Sequence, residues 1–361
     1  MEAQDNMMNN TLRKTLLVLN CIILAIGNNG NPILMRLYFV KGGNRIWLSS
    51  FLLTAGWPII FIPLLISYFH RRKTQVPPNT TNLILMKYPV FIAAAVIGLL
   101  IGVDDYFYAN GVARLPASTS SIIIASQLAF TAFFAFLLVK QKFTAYSVNA
   151  IVLLTVGAGV LALHTSSDRP KGESSKSYGL GFLMTLAAAA LYGLILPMVE
   201  LMYMKAKQAI THTLVLEIQL VMCFFATLFC TVGMLVNKDF QAIPREARAY
   251  ELGETKYYVV VVCTAVIGQC CFLGAIGIIY CASSLVSGIM IAVLLPFTEI
   301  LAVIFFHEKF LVEKGVALVM SLWGFVSYFY GEIKHNKTKD DQSKDQNSQC
   351  QATEITPIAA P

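Results

Sequence analysis

Charge is scarce in this chain. Asp, Glu, Lys and Arg together make up 13% of its 361 residues, against 57% hydrophobic. A soluble domain cannot hide that much apolar surface, whereas a bilayer removes the need to. Histidine is sparser still: His70, His164, His212, His307 and His335 sit at the ends of apolar runs or in a polar tail. They lack metal-ligand spacing, so no metal is expected. No GxxxxGK[ST] stretch marks an ATP-driven pump, no Ser–His or Cys–His constellation points to an enzyme, and no cofactor is implied. A cleavable signal peptide is not expected, because the first apolar run, 15–40, is too long and no small-residue cleavage pattern follows it. No disulfide framework is expected either: Cys21, Cys223, Cys230, Cys263, Cys270, Cys271 and Cys281 lie inside apolar runs, and Cys350 alone lies in a polar tail. The formal charge of +7 is spread over loops and leaves no nucleic-acid footprint.

What is present in abundance is long apolar runs, each long enough for a helix to cross hydrocarbon. Ten spans are predicted, at 15–40, 46–69, 87–110, 116–139, 143–164, 178–203, 211–236, 257–281, 283–306 and 312–332. The fold class is thus all-α and integral to the membrane. Residues 1–14 read as a mobile tail, 165–177 as a linker loop, and 333–361 as a disordered tail rich in Lys, Asp, Gln and Ser. An even span count puts both termini on one side. The 27 Lys and Arg divide almost evenly between the two sides, and Arg71-Arg72-Lys73 in a short early loop tips the reading to cytosolic termini.

The chain also resembles itself. Laying Lys142-Phe143 on Lys309-Phe310, an offset of 167, puts Phe130-Thr131 on Phe297-Thr298, Ser120 on Ser287, and Gly157 on Gly324. A duplicated five-helix unit follows, 15–164 and 178–332. Five is odd, so the two units are inverted in the membrane, an arrangement that places a transporter's site at their interface near the midplane.

Several blocks carry a resemblance that is more specific. They include Arg36-Leu-Tyr-Phe39, Thr54-Ala-Gly-Trp-Pro58, Pro116-Ala-Ser-Thr-Ser-Ser121, Gln127-Leu-Ala-Phe-Thr131 and Leu196-Pro-Met-Val-Glu-Leu201. Leu294-Leu-Pro-Phe-Thr-Glu299, His307-Glu-Lys-Phe310 and the run Ser321–Gly331 complete them. In these the chain resembles the drug/metabolite transporter superfamily and, within it, the plant purine permease family. The resemblance implies proton-coupled import of adenine-like bases, with cytokinins, caffeine or other planar heterocycles as candidates, by alternating access at the plasma membrane. One departure stands out: Asn110 and Arg114 occupy positions where the family carries aromatic residues.

Candidate site residues follow from polarity inside apolar spans. Glu299 lies about 12 Å along its helix from His307, and intramembrane acids mark pathways or proton sites. It is read as a substrate partner and a proton-coupling group, with Thr298 beside it and Pro296 loosening the helix. Asp104 and Asp105 are further proton-coupling candidates. Consecutive helical side chains diverge by about 100°, so one of the two is expected to face a cavity and the other to pair with Arg114 or lie near an interface. Gln127 and Thr131 occupy the matching place in the first repeat, where an amide can meet the edge of a purine. Trp57 and Tyr192 could stack on a flat ring, although interfacial anchoring is the plainer use of such residues. Asn28, in a Gly27–Pro32 stretch expected to break the first span, and Gln219 complete the substrate set.

Two other functions compete. An exchanger of nucleotide sugars or phosphates would need Lys or Arg in its cavity, of which the spans are nearly free. A receptor or scaffold would signal through tails that are short and poor in motifs. Partners are therefore a small heterocycle, protons and lipid; the oligomeric state is left open.

Overall fold

The computed structural model describes residues 2–74, 86–115, 120, 123–124, 126–141, 143–162, 175–306, 312, 315–316, 319–320, 322–331 and 334. Of these, the side chains of 2–10, 70–74, 158–159, 161–162, 175, 177, 299, 302–303 and 306 lie outside the description. Every regular element among the described residues is helical: α1 (Glu2–Val40), α2 (Ile46–Thr54), α3 (Phe61–Thr74), α4 (Tyr88–Val112), α5 (Gln127–Phe134), α6 (Ala145–Ala162), α7 (Ser175–Lys205), α8 (His212–Val236), α9 (Asp239–Ala249), α10 (Glu254–Cys281) and α11 (Ser284–Phe306). Residues 322–331 are also helical. In hydrocarbon a helix is the one open-ended segment that satisfies its own backbone, which is why the apolar runs take this form.

Local chemistry sets the ends. Pro89 enters the first turn of α4, where no N–H is required. Thr211 caps α8, its hydroxyl accepting from Leu214 N at 3.3 Å. Glu200 of α7 caps α11 across the bundle, Oε2 accepting from Ser284 N at 2.7 Å. The turn after α1 uses Gly42 at φ 107°, a conformation open to glycine. A 3-10 turn, Trp57–Ile60, separates α2 from α3 around Pro58.

Six helices among the described residues are long and apolar enough to cross a membrane: Thr11–Val40, Ile46–Phe69, Tyr88–Val112, Tyr178–Lys205, His212–Val236 and Glu254–Cys281. The apolar helices Gln127–Val139, Ala145–Gly157 and Ser284–Thr298 are shorter. They fall within the expected fourth, fifth and ninth spans, and 322–331 falls within the tenth. A belt of exposed apolar side chains, among them Ile22, Ile62, Ile66, Val96, Phe136 and Val232, covers the outside of the bundle, as lipid contact requires.

Two readings from sequence change here. Helix α1 reaches back to Glu2 through the segment expected as a mobile tail; no Gly or Pro occurs before Gly27, so the helix propagates without a second nucleation. Helix α1 also runs unbroken through Gly27–Pro32. Gly27 serves close approach rather than a break: a Cβ there would stand 2.2 Å from Cys271 N of α10. Asn29 turns its amide onto its own helix, donating to Ala25 O at 2.9 Å. The expected linker and C-terminal tail fall, apart from 175–177 and residue 334, outside the described residues.

The bundle has two ends. One gathers the end of α1, the start of α2, the end of α4, the end of α8, α9 and the start of α10: Trp47 stacks on Tyr106 at 4.1 Å and Tyr250 OH donates to Leu37 O at 3.1 Å. At the other, Arg13 Nε donates to Cys281 O at 2.8 Å and Met86 N donates to Glu217 Oε2 at 3.1 Å. Helix α1 lies along α10, and α4 lies along α7 and α8.

Candidate functional site

A cavity of about 390 Å³ opens among α1, α4, α5, α7, α10 and α11, within the size range of small-molecule sites. Phe39, Val40, Val112 and Ala113 rim it, all at the last turn of α1 or α4. Gly27, Gln127, Tyr192 and Phe272 line its depth. Within one turn of these, Leu24, Leu128, Ile195 and Ile276 are at most 1% exposed and belong to one apolar core. Among the described residues, the cavity thus extends toward the end where α1 terminates and is closed by this core toward the other.

Its polar wall follows helical spacing. Asn28, Asn31, Pro32, Arg36 and Phe39 form one stripe of α1, and Asp104 with Tyr108 and Val112 forms another on α4. Among the described residues, Asn28 Nδ2, Asn31 Oδ1, Ser120 Oγ, Asp104 Oδ1 and Asp105 Oδ2 are buried polar atoms of the lining with no hydrogen-bond partner. Buried groups of this kind are normally paired, so their convergence in one cavity is a ligand-site signal. Thr298 of α11 donates to Asn29 Oδ1 at 2.8 Å, tying α11 to α1 at the cavity wall. Tyr192 meets Phe272 edge to face at 6.5 Å, which makes a flat aromatic corner.

Of the residues singled out from sequence, Asn28, Asp104, Asp105, Gln127, Tyr192 and Thr298 line this cavity. Both aspartates do so, where one was expected; they are 6% and 4% exposed. Arg114 does not pair with either. Its guanidinium donates to Asn110 one turn earlier, and neither Asn110 nor Arg114 is among the lining residues. Three candidates lie elsewhere. Thr131 is fully buried against Gly193 of α7 and Gly288 of α11, its hydroxyl donating to Gln127 O at 2.9 Å. Trp57 packs edge-on against Phe61 and Phe224, with centroids 5.8 and 5.7 Å away. Gln219, 1% exposed, is buried in α8 away from the cavity. The backbone of Glu299 follows Thr298 in α11, and its side chain lies outside the described residues.

Sequence reasoning missed Arg36, Tyr108, Ser120 and Cys271. The signal for two of them was spacing: Arg36 lies eight residues after Asn28 and Tyr108 four after Asp104, on the same helix faces. Arg36 also corrects the expectation of a cavity without cations. Among the described residues no group of His, Cys, Asp and Glu could hold a metal ion.

The family described as purine nucleobase transmembrane transport matches residues 15–338. Purine permease 3 of Arabidopsis thaliana is 56% identical over 96% of this chain and 98% of its own. The chain belongs to the purine permease family. Purine permease 2 of the same plant is 55% identical over 97% of this permease and 99% of its own length, and purine permease 21 is 36% identical over 84% and 77%. This permease is accordingly an integral membrane transporter and not an enzyme. A crystal structure of a protein 13% identical superimposes with a TM-score of 0.60, covering 87% of this permease and 98% of that chain, a likeness of fold alone.

Proposed function

We propose that this permease imports purine bases and related planar heterocycles, cytokinins and caffeine among them, by proton-coupled alternating access. The single observation that carries the reading is the cavity itself, half-way along the helices, open at one end, with donors and acceptors that lack partners. A purine edge presents N–H donors and ring-nitrogen acceptors. Asn28 Nδ2 supplies a donor, Asn31 Oδ1 and an aspartate oxygen supply acceptors, and Gln127 supplies both. Tyr192 and Phe272 offer flat faces for the ring. Thr298 positions α11 against α1, while Thr131, Trp57 and Gln219 act through packing. Asp104, Asp105 and Glu299 are the carboxyls through which a proton would couple to transport. A reading as an anion exchanger has one feature in its favour, Arg36 on the lining. The two aspartates of the same lining weigh against it, since they would repel a phosphate.

The transport cycle requires two halves that rock, and we read them as two inverted five-helix repeats. The packing supports this, because it recurs when spans five apart are exchanged: α1 on α10 answers to α7 on α4, and α11 on α1 answers to α5 on α7. Close contacts follow the same rule. Gly277 meets Asn20 and Gly111 meets Thr185; the glycines are 166 residues apart and their partners 165, near the offset of 167 in the sequence. With both termini cytosolic at the plasma membrane, the cavity faces outward, ready to load.

Uptake of labelled adenine into yeast deficient in base uptake tests the reading, at acidic and neutral pH and with a protonophore. The expected result is uptake stimulated by acid, abolished by the protonophore and competed by zeatin or caffeine. Flat uptake by protein present at the cell surface sinks it. Glu299→Gln should lose at least tenfold in accumulation while exchange of bound for free adenine continues.

A further inference from the structure

The last turn of α1 has two faces. Arg36, Phe39 and Val40 line the cavity, and at about 100° per residue Leu37 and Tyr38 fall on the opposite side of the helix. That opposite side is held by α9 and the residues around it. Tyr38 OH donates to Glu246 of α9, Arg45 N donates to Tyr38 OH at 3.2 Å, and Tyr250 OH donates to Leu37 O at 3.1 Å. Tyr38 is 2% exposed and belongs to a small apolar cluster with Leu48, Leu52, Met234 and Tyr257, separate from the core beneath the cavity. Gly43 lies on its ring, where an added Cβ would stand 2.5 Å away.

Glu246 is the centre of that hold. Its side chain is 8% exposed, with the Arg45 guanidinium 3.5 Å away, and it takes hydrogen bonds from Tyr38, Tyr257 and the backbone of Asn44. Contacts of this kind to a carboxylate are stronger than those between neutral groups. The Tyr38 ring meets the Phe39 ring edge-on at 5.1 Å, so the hold is one residue removed from a cavity side chain. Both side chains leave the same helical turn, and a turn that unwinds moves them together. The rim serves one part of a ligand. From Gly27 to Phe39 the cavity runs about 18 Å along α1 at 1.5 Å per residue. Asn28, Asn31 and Gln127 lie toward its depth, whereas Phe39, Val40, Val112 and Ala113 make the rim apolar. A bare purine is met by the polar depth; a substituent on its exocyclic nitrogen reaches on toward the apolar rim.

Resting on the purine-import reading above, we propose that Glu246 is a positioning residue for substrate selection: through Tyr38 it sets Phe39 at the rim, and so governs affinity for purines whose exocyclic nitrogen carries an apolar substituent. Glu246 touches no substrate itself. With the carboxylate in place the last turn of α1 stays wound and Phe39 packs against the substituent. Without it Tyr38 loses its acceptor and the turn loosens. The substituent then loses its contact, while the base keeps the groups at depth.

Uptake of labelled adenine into yeast deficient in base uptake, competed by unlabelled zeatin, reads both parts of the cavity in one assay. Glu246→Ala should raise the half-inhibition by zeatin at least about fivefold, and the half-saturation for adenine by no more than about twofold. Tyr38→Phe, which removes only the hydroxyl, should do the same. The double variant should add less than about 1.5-fold to the larger single effect, since both act through one contact. Glu246→Gln keeps an oxygen that accepts from Tyr38 and should restore the zeatin value to within about twofold of wild type. Loss of stability alone would lower the amount at the cell surface and leave both constants unmoved. Equal shifts for zeatin and adenine, no shift, or additive effects in the double variant overturn the proposal. If Glu246→Ala does not reach the surface, Tyr38→Phe carries the test by itself. Zeatin that fails to compete where adenine is transported also overturns it. A wild type that transports no adenine removes purine import instead, an outcome separate from any variant result.

Discussion

At the scale of single residues, the α1–α10 contact depends on what is missing from side chains. Gly27 leaves room for the Cys271 backbone, whose N would be 2.2 Å from an added Cβ. Gly30 faces the flexible end of Ile267 at 3.0 Å. Gly27→Leu should therefore destabilise the protein by more than the about 1–3 kcal/mol typical of overpacking. Gly30→Ala should cost under about 1 kcal/mol, with the loss of a glycine from a helix interior partly offsetting the contact. Thermal unfolding of the two variants in detergent measures the contrast, and equal Tm values would contradict the packing. Cys271 itself lines the cavity. A membrane-impermeant thiol reagent applied from the open side should label it, adenine should slow that labelling severalfold, and Cys271→Ser should remove the protected fraction.

At the scale of elements, α9 is the part that the span pattern did not foresee. It is a short amphipathic helix outside the apolar layer, and it clamps the turn after α1. Glu246 of α9 accepts from Tyr38 OH, from Tyr257 OH at 3.1 Å and from Asn44 N at 3.3 Å. Arg45 lies 3.5 Å from both Glu246 and Asp239. Burial pushes the Asp239 carboxyl up from its ordinary value, against the opposing pull of the Asn237 amide and the Arg45 charge. A raised folded value means that the native state holds its proton more tightly than the unfolded chain does. The associated stability is full below the ordinary value of 3.8 and is lost as pH rises through the folded value. Asp239→Asn should flatten that part of the Tm profile from about pH 4 upward, and an unchanged slope would exclude Asp239 as its source.

At the scale of the whole molecule, the features that matter are the cavity and the closed core beneath it. Leu24, Ile195, Leu196, Ile218, Ile276 and Ile279 belong to one cluster on the closed side, so the inward opening proposed above would have to part an apolar core as well as polar contacts such as Glu200 to Ser284 N. Both termini should lie in the cytosol. Epitope tags at either end should be stained in permeabilised cells only, and staining of intact cells would invert the orientation and with it the side on which the cavity opens.

The amino-acid sequence by itself determined the all-helical membrane character and most span positions, because apolar runs in lipid leave the backbone few alternatives. It also named six of the cavity residues, since a polar group inside an apolar run is conspicuous wherever the helix turns. It misplaced Trp57, Thr131 and Gln219 for the same reason: polarity and aromaticity say that a residue is unusual, and not which neighbour it meets. Gly27–Pro32 looked like a break because glycine and proline read the same whether they end a helix or admit a neighbour; the passage of α10 beside Gly27 decided between the two. Arg36 went unread as a cavity group, since the α4 residues that line the same cavity are nearly seventy residues away in sequence. Only the tertiary structure decided which neighbour each face of α4 meets, because that belongs to α8 packing along Gly98 and Gly102 and to the cavity beside Asp104.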